Sequence, residues 1–372
     1  MKLTIPEPLR RLWSHAPVSI LDGYIIRKFL GTYVFAIILI LAITVMFDIN
    51  EKLDAFLKAP LKATVFDYFL NFLPYFANQF SPLFTFIAVI FFTSKLADNS
   101  EIIAMLSSGM SFRRLLRPYL ISAAIIAAAT FVLGAYIIPP ANVERIDFTN
   151  TYVKNKRVDY GDNIMMQVAP GEIAFMSRYD NNTKTGYRFS LEKFKDKKLV
   201  SRLQSLSIKW DTLYQWTVRD YTIRDFKENR EYIRRGFTLD TIIPFEPRDF
   251  LISRNDQEML TSPQLRQYID RQKERGVANI KAFEIEYEKR YAMCAAAFIL
   301  TVIGMSLSSK KVKGGMGMNI GLGLVLSFSY ILFMTVTSSF AISGLTSPMV
   351  AMWIPNVIYT VIAVVLYFKA SR

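Results

Sequence analysis

The sequence predicts an α-helical membrane protein with six transmembrane helices and an inserted all-β domain. The 372-residue chain is 52% hydrophobic and 14% aromatic, values that are high for a soluble protein. Its charged residues are concentrated between positions 141 and 280, whereas both flanks are mostly apolar. Within that middle segment the sequence changes to short runs in which apolar and polar residues alternate, as in half-buried strands.

Six apolar segments approach the length that crosses a bilayer, which is about 20 residues in a helix. The second segment is the least regular because Pro74 and Pro82 interrupt it, although neighbouring helices can satisfy the carbonyls that a proline leaves free. The predicted spans are 29–47, 69–97, 115–138, 291–307, 318–341 and 349–368.

The distribution of lysine and arginine predicts the orientation of the spans. Basic residues precede the first span, separate the second from the third and the fourth from the fifth, and follow the sixth. Because cytoplasmic loops carry the excess of basic residues, both termini are expected in the cytoplasm, with a 3+3 arrangement of helices and an external middle domain. The same bias accounts for most of the net charge of +14, so no nucleic-acid partner is expected.

The predicted domains are an N-terminal membrane half over 1–140, a β domain over 141–262, and a connecting helix with the C-terminal membrane half over 263–372. The alternating runs of the β domain predict an antiparallel sandwich or open barrel, with a hairpin between Trp210 and Trp216. A cap residue followed by Pro263 predicts the start of the connecting helix, which we expect to end at Gly276. A second helix from about Ile280 is expected to lead into span four.

No enzyme motif stands out in the sequence. Cys294 and His15 are the only residues of their types, which excludes an intramolecular disulfide, most zinc sites and the usual Ser-His or Cys-His arrangements. The glycine-rich run after span four lacks the pattern of a phosphate-binding loop. Gly317 and Gly321 instead form a GxxxG pair that lets another helix approach closely. The sequence therefore predicts no catalytic residue, no metal site and no cofactor bound by this chain.

The segment 99–118, NSEIIAMLSSGMSFRRLLRP, separates spans two and three. It predicts a short amphipathic helix at about 99–110, capped by Ser100 and ended by Gly109, after which Ser111 caps the helix of span three. Two interpretations stay open: a helix that rests on lipid headgroups, or a cytoplasmic helix that docks on a separate motor subunit. The candidate docking residues are Glu101, Ile102, Ile103, Met105, Leu106, Gly109 and Arg113.

Five motifs in order give the chain a resemblance to a known family. They are LDGYIIRKFLGTY, SEIIAMLSSGMSFRRLLRP, IIPPAN, EYEKRYAMCAAAFILTVIGMSLSS and MWIPNVIYTVIAVVLY. Together they resemble the lipopolysaccharide-export permeases of the LptF/LptG type over nearly the whole length.

The resemblance implies a permease subunit of an ABC-type exporter in the inner membrane of a Gram-negative bacterium. It implies a periplasmic β-jellyroll, a paralogous six-helix chain as second subunit, and a cytoplasmic ATPase dimer that binds ATP and Mg²⁺. The cargo would be lipopolysaccharide, extracted from the inner membrane and passed to a periplasmic jellyroll bridge protein. The segment matching 100–111 would be the coupling helix, with the acid at Glu101 in contact with the ATPase.

An amphipathic, phosphorylated cargo calls for basic residues near the outer rim of the cavity. The candidates are Lys52, Lys58, Lys62 and Arg145. For each of them a solvated loop charge is an equally good interpretation, since Asp48, Glu51 and Asp54 are interleaved with these lysines. Two other functions also stay open: a permease for another envelope lipid or lipoprotein, and a membrane scaffold without a motor.

Overall fold

A computed structural model describes residues 19–153, 160–227, 230–247, 256–274, 280–310 and 315–371. The chain forms two compact units. The membrane unit combines the described residues up to Phe148 with those from Ile285 onward, and the β unit runs from Thr149 to Glu284.

The membrane unit is helical. Six of its helical segments are long and apolar enough to cross a membrane, which confirms the predicted fold class of a multi-pass helical membrane protein with an inserted β domain. Before the β unit the helices are α1 (Ile20–Glu51), α2 (Leu53–Lys58), α3 (Leu70–Gln79), α4 (Ser81–Asp98), α5 (Glu101–Ser107), α6 (Phe112–Val132) and α7 (Ile138–Phe148). The β unit contains α8 (Ser262–Glu274). The chain then continues with α9 (Lys281–Ser308), α10 (Gly315–Ser343) and α11 (Pro348–Ser371).

Prolines shape the second and third spans. The predicted second span divides at Phe80 into α3, which contains Pro74, and α4, which has Pro82 in its first turn. In the third span α6 continues through a π-helical turn, Leu133–Ile137, into α7. Pro139 and Pro140 follow this turn and have no N–H to donate, which explains why the regular α-helical ladder is interrupted there.

Helix α4 lies in the core of the membrane unit. In its most apolar stretch 78% of the residues are buried, against 6% for α1. Two glycines allow close approach: a methyl group at Gly304 would lie 2.6 Å from Val89, and one at Gly323 would clash with Ile90. A buried hydrogen bond of 3.3 Å from Asn319 to Ser94 also joins α10 to α4.

The β unit contains a six-stranded antiparallel sheet in which each strand pairs with the next along the chain. The buried side chains of its strands form one apolar core, and the unit fits a jellyroll-like domain. The strands are β1 (Tyr160–Ala169), β2 (Glu172–Asp180), β3 (Thr185–Lys195), β4 (Lys198–Thr212), β5 (Gln215–Lys227) and β6 (Arg230–Ile242).

The predicted hairpin is present, and Trp210 lies opposite Trp216 across β4 and β5. Trp216 is buried, and its indole N–H donates to the carbonyl of Phe245 over 3.0 Å. The alternating runs match β2 to β5, whereas the sequence did not predict β1 or β6. Strand β6 shows no alternation because most of its residues are exposed on both faces.

The connecting helix is α8, which begins after Thr261 as predicted and buries Leu265 and Ile269. Its expected end at Gly276 lies outside the described residues. The helix predicted from about Ile280 is α9, which runs without interruption to the end of span four.

Candidate functional site

Helix α5 stands between two turns that change the direction of the chain. Ser100 has φ +61° and Gly109 has φ +91°, both in the left-handed region, which suits glycine but is uncommon for serine. The prediction that the Ser100 side chain caps α5 is wrong, because no hydrogen bond joins this side chain to the helix. The prediction for Ser111 is confirmed, since its hydroxyl accepts the N–H of Arg114 over 3.2 Å at the start of α6.

The carboxylate of Glu101 is oriented by two donors. The Tyr24 hydroxyl in α1 donates to one oxygen over 3.2 Å, and the Asn99 amide donates to the other over 3.2 Å. Both contacts are exposed, so the carboxylate remains accessible at the first turn of α5. The negative charge is favourable there because a helix N-terminus carries partial positive charge.

The apolar residues of α5 divide between two faces. Ile102 is buried, and Met105 packs against the same core cluster, so these two predicted docking residues hold the helix against the membrane unit. Ile103 and Leu106, one turn apart, are exposed. The surface that α5 offers to a partner therefore consists of Glu101, Ile103 and Leu106, and we call it the α5 surface.

An ion pair fixes the start of α6 beside the start of α1. The two terminal nitrogens of Arg114 donate to the two carboxylate oxygens of Asp22 over 2.6 and 2.8 Å. Asp22 is only 1% exposed, and it also completes a capping box with Ser19. Arg114 is thus held by a carboxylate rather than by lipid headgroups. The S-x-x-D pattern of residues 19–22 was readable in the sequence, but the partner 92 positions away was not.

The candidate phosphate-binding residues lie near the opposite end of α1, and two of them are already occupied. Lys52 forms an ion pair with Asp48 and donates to the Tyr68 hydroxyl over 2.6 Å. Arg145 donates to Asn142 over 2.9 Å and lies 4.1 Å above the ring of Tyr75.

The other two candidates, Lys58 and Lys62, are exposed. Neither lysine has an ion-pair partner among the described residues, so each can bind an external anion without first breaking such a contact. Sequence reasoning missed the aromatic partners Tyr68 and Tyr75, because nothing in the local sequence links them to these cations.

The glycines of the predicted GxxxG pair have open space around them. A methyl group added at Gly317 or at Gly321 would meet no atom of the described residues within 4 Å. Gly304 and Gly323, in contrast, lie directly against residues of α4. Within the described part of the chain the GxxxG face is uncovered, which suits contact with a helix of another chain.

These features define a polytopic helical membrane protein that displays a short, anchored helix between its second and third spans. A family model described as "Lipopolysaccharide export system permease LptF/LptG" matches residues 23–369. The chain therefore belongs to the LptF/LptG family of lipopolysaccharide export permeases. Members of this family are membrane subunits of transporters, and the family is not a catalytic one. A search of curated proteins finds no match.

Proposed function

We propose that this chain is the transmembrane subunit of an ABC-type exporter that extracts lipopolysaccharide from the inner membrane and passes it to a periplasmic bridge. The observation that carries the proposal is the α5 surface, which combines two exposed apolar residues with a carboxylate held in place by Tyr24 and Asn99. Such a surface suits docking by apolar burial with orientation by charge. The partner would be a cytoplasmic ATPase dimer, which would bind ATP and Mg²⁺.

The contacts of α5 also supply a route for movement. Ile102 packs in the core cluster that includes residues of α1, α4 and α6. The Asp22–Arg114 pair joins α1 to α6 at the same end. A displacement of α5 by the ATPase would therefore move these helices together, as a rigid-body change.

A second six-helix chain would complete the permease. Helix α1 carries large exposed apolar side chains along most of its length, and the GxxxG face of α10 is open. We expect the paralogous chain to cover at least the GxxxG face, where small residues let two backbones approach closely. The cargo would be held by the exposed Lys58 and Lys62, which in this orientation lie on the periplasmic side.

The β unit would pass the cargo onward by adding a strand from the bridge protein. In the described residues β6 pairs only with β5, so its other edge is open, and Phe237 and Ile242 on this strand are 85% and 76% exposed. An open edge strand that exposes large apolar side chains favours strand addition by another sheet. Site-specific crosslinking from β6 in native membranes tests this contact, and crosslinks from the sheet faces alone would contradict it.

The main test is affinity purification of the chain from its native membrane, with Glu101→Lys compared to wild type. We expect wild type to recover a soluble ATPase and a second six-helix chain. Reversing the charge should reduce ATPase recovery by about tenfold or more while the second chain is retained. Glu144→Lys, which changes an exposed acid on α7, is the matched control and should recover both partners.

Two outcomes would decide against the proposal. Recovery of wild type without an ATPase would favour the scaffold function, in which Glu101 has no partner. An ATPase that is recovered equally with Glu101→Lys would show that the α5 surface is not the docking site. For the second chain, Gly317→Leu with Gly321→Leu should lower its recovery, whereas Ala128→Leu on exposed α6 surface should not.

A further inference from the structure

The segment 53–66, which we call the α2 segment, follows the end of α1 and is helical except at one break. It begins with α2, which ends at Lys58. Ala59 is extended, and Pro60 has no N–H to donate, so the helical ladder stops there. The chain becomes helical again from Leu61. The α2 segment therefore consists of two short helical pieces joined at a proline.

The inner side of the α2 segment is fixed to the membrane unit by aromatic contacts. Ala55 is buried, and the ring of Phe56 lies 5.2 Å from that of Tyr68 and 6.0 Å from that of Phe148. The segment is thus a packed part of the unit rather than a loop that extends away from it.

The outer side of the α2 segment exposes leucine and lysine next to each other. Leu57 and Leu61 are 75% and 79% exposed, and each is followed directly by an exposed lysine, Lys58 or Lys62. Large exposed apolar side chains follow the segment from end to end: Leu53, Leu57, Leu61, Val65 and Phe66. A continuous apolar surface of this kind marks a contact with a membrane or another chain.

The length of α1 sets the level of the α2 segment in the bilayer. The 32 residues of α1 extend about 48 Å, whereas the hydrocarbon core is about 30 Å thick. The predicted span ends at Phe47, and α1 continues for about 6 Å beyond it, into the headgroup layer. A broken helix is tolerated at this level, because water can satisfy the backbone groups around Pro60, but not among the acyl chains.

We propose that the α2 segment lies in the headgroup layer of the bilayer, with Leu57 and Leu61 in the outer hydrocarbon and Lys58 and Lys62 at phospholipid phosphates. An amphipathic segment of this composition suits that position, because lysine can keep its ammonium at the headgroups while leucine enters the acyl chains. Another protein chain suits this surface less well, since the cores of protein interfaces are depleted in lysine.

This placement changes how the lysines would meet the cargo, a consequence that rests on the proposed function. In that orientation the α2 segment lies in the periplasmic leaflet, and Lys58 and Lys62 are at the depth of lipid phosphates rather than in bulk water. Phospholipid phosphates would then compete with the cargo for both lysines.

The test is electron paramagnetic resonance of single nitroxide labels on the full-length chain, purified alone and reconstituted in nanodiscs of phosphatidylethanolamine and phosphatidylglycerol. Cys294→Ala first removes the one native cysteine. Leu57→Cys and Leu61→Cys then carry the label, whose collisions with oxygen, which enters the bilayer, and with a water-soluble nickel chelate are measured. We expect the oxygen-to-nickel ratio at both positions to be at least about threefold higher than at Leu206→Cys, an exposed leucine of β4. Val361→Cys, exposed in the middle of α11, should give the highest ratio.

A second set of variants tests whether the leucines hold the segment in the bilayer. With the label at Lys58→Cys, adding Leu57→Ser and Leu61→Ser should lower the oxygen-to-nickel ratio about threefold. The matched control is Leu206→Ser with Ile233→Ser, which removes two exposed apolar residues from the β unit and should leave the ratio at position 58 unchanged. A label at position 361 reports in each variant whether the spans are still inserted.

Two results would overturn the proposal. Ratios at positions 57 and 61 equal to that at position 206 would show that the α2 segment is solvated. Labels that the nickel chelate reaches freely in the isolated chain, and that neither reagent reaches in the assembled complex, would assign this surface to the second chain. Because the measurement needs neither ATPase nor cargo, its failure is distinguishable from failure of the proposed function.

Discussion

Two carboxylates at opposite ends of α1 are both buried, and they are satisfied in different ways. Asp22 has both oxygens bound by Arg114, a residue of another helix, and one of them also accepts the N–H of Ser19. Asp48 pairs with Lys52, the residue that directly follows α1, and its second oxygen has no hydrogen-bond partner in the described part of the chain. The first acid fixes one helix to another, whereas the second mainly sets the position of one lysine side chain.

The difference suggests different tasks for the two ends. In the proposed exporter the end near α5 would transmit a displacement, and a bidentate pair between helices keeps α1 and α6 together. At the other end Lys52 is held by Asp48 and by the Tyr68 hydroxyl, and no ion pair among the described residues there joins two spans. In the proposed exporter Lys52 would exchange Asp48 for an external anion, so Asp48 would act as an internal competitor of the cargo phosphate. Substitution of each acid tests this contrast.

The largest effect is expected for Asp22→Asn. Loss of the charge leaves Arg114 without its anion, and we expect a destabilisation of about 2 kcal/mol, less than for a fully buried pair because Arg114 is about one-third exposed. The measurement is the unfolding midpoint in mixed detergent micelles, with Arg113→Gln as an exposed control. The double variant Asp22→Asn with Arg114→Gln should lose less than the sum of the two single changes. A single variant that unfolds at the wild-type midpoint would remove the distinction between the two ends.

A smaller effect on stability and a gain in cargo binding are expected for Asp48→Asn. The amide oxygen can still accept from Lys52, so the cost should be about 1 kcal/mol or less. Removing the competing charge should raise lipopolysaccharide retention during purification about fivefold, and Lys52→Gln should lower it. Lys28→Gln serves as the control, because this exposed lysine lies near the other end of α1, away from the cargo residues. Unchanged retention in Asp48→Asn would show that Lys52 is a structural residue only.

These pairs also show what the sequence could predict. The six spans, the short helix and the Trp210–Trp216 hairpin follow from hydrophobic patterns and turn residues such as Gly109, which are local signals, whereas the predicted cap at Ser100 was wrong. The partners of Arg114 and Glu101 are 92 and 77 positions away, and contacts of that range have no local signature. The same reason explains why Ile102 and Ile103 looked equivalent in the sequence. Which of them faces the core is decided by α1 and α4, not by α5.

The smallest effect is expected at a third acid, Asp225 on β5. Unlike Asp22 and Asp48, it pairs with a basic side chain that is mostly exposed. It accepts the Ser201 hydroxyl over 2.7 Å and a nitrogen of Arg234 over 2.8 Å, and these contacts, that of Ser201 first, hold the pKa of the carboxyl below its ordinary value. A depressed pKa in the folded state contributes stability above the unfolded pKa of about 3.9, and this contribution is lost as the pH falls through the folded value. Because Arg234 is 68% exposed, Asp225→Asn should cost only about 0.5 kcal/mol at pH 7.

Hydrogen exchange of the β4–β5 amides in the full chain provides the measurement. The difference between wild type and Asp225→Asn should be present at pH 7 and shrink towards zero as the pH falls below about 3.9, once exchange rates are corrected for pH. Asp220→Asn is the control on the same strand, since asparagine tolerates the left-handed backbone found there. A difference that persists at low pH would mean that Asp225 stabilises the strand through hydrogen bonding that does not need its charge.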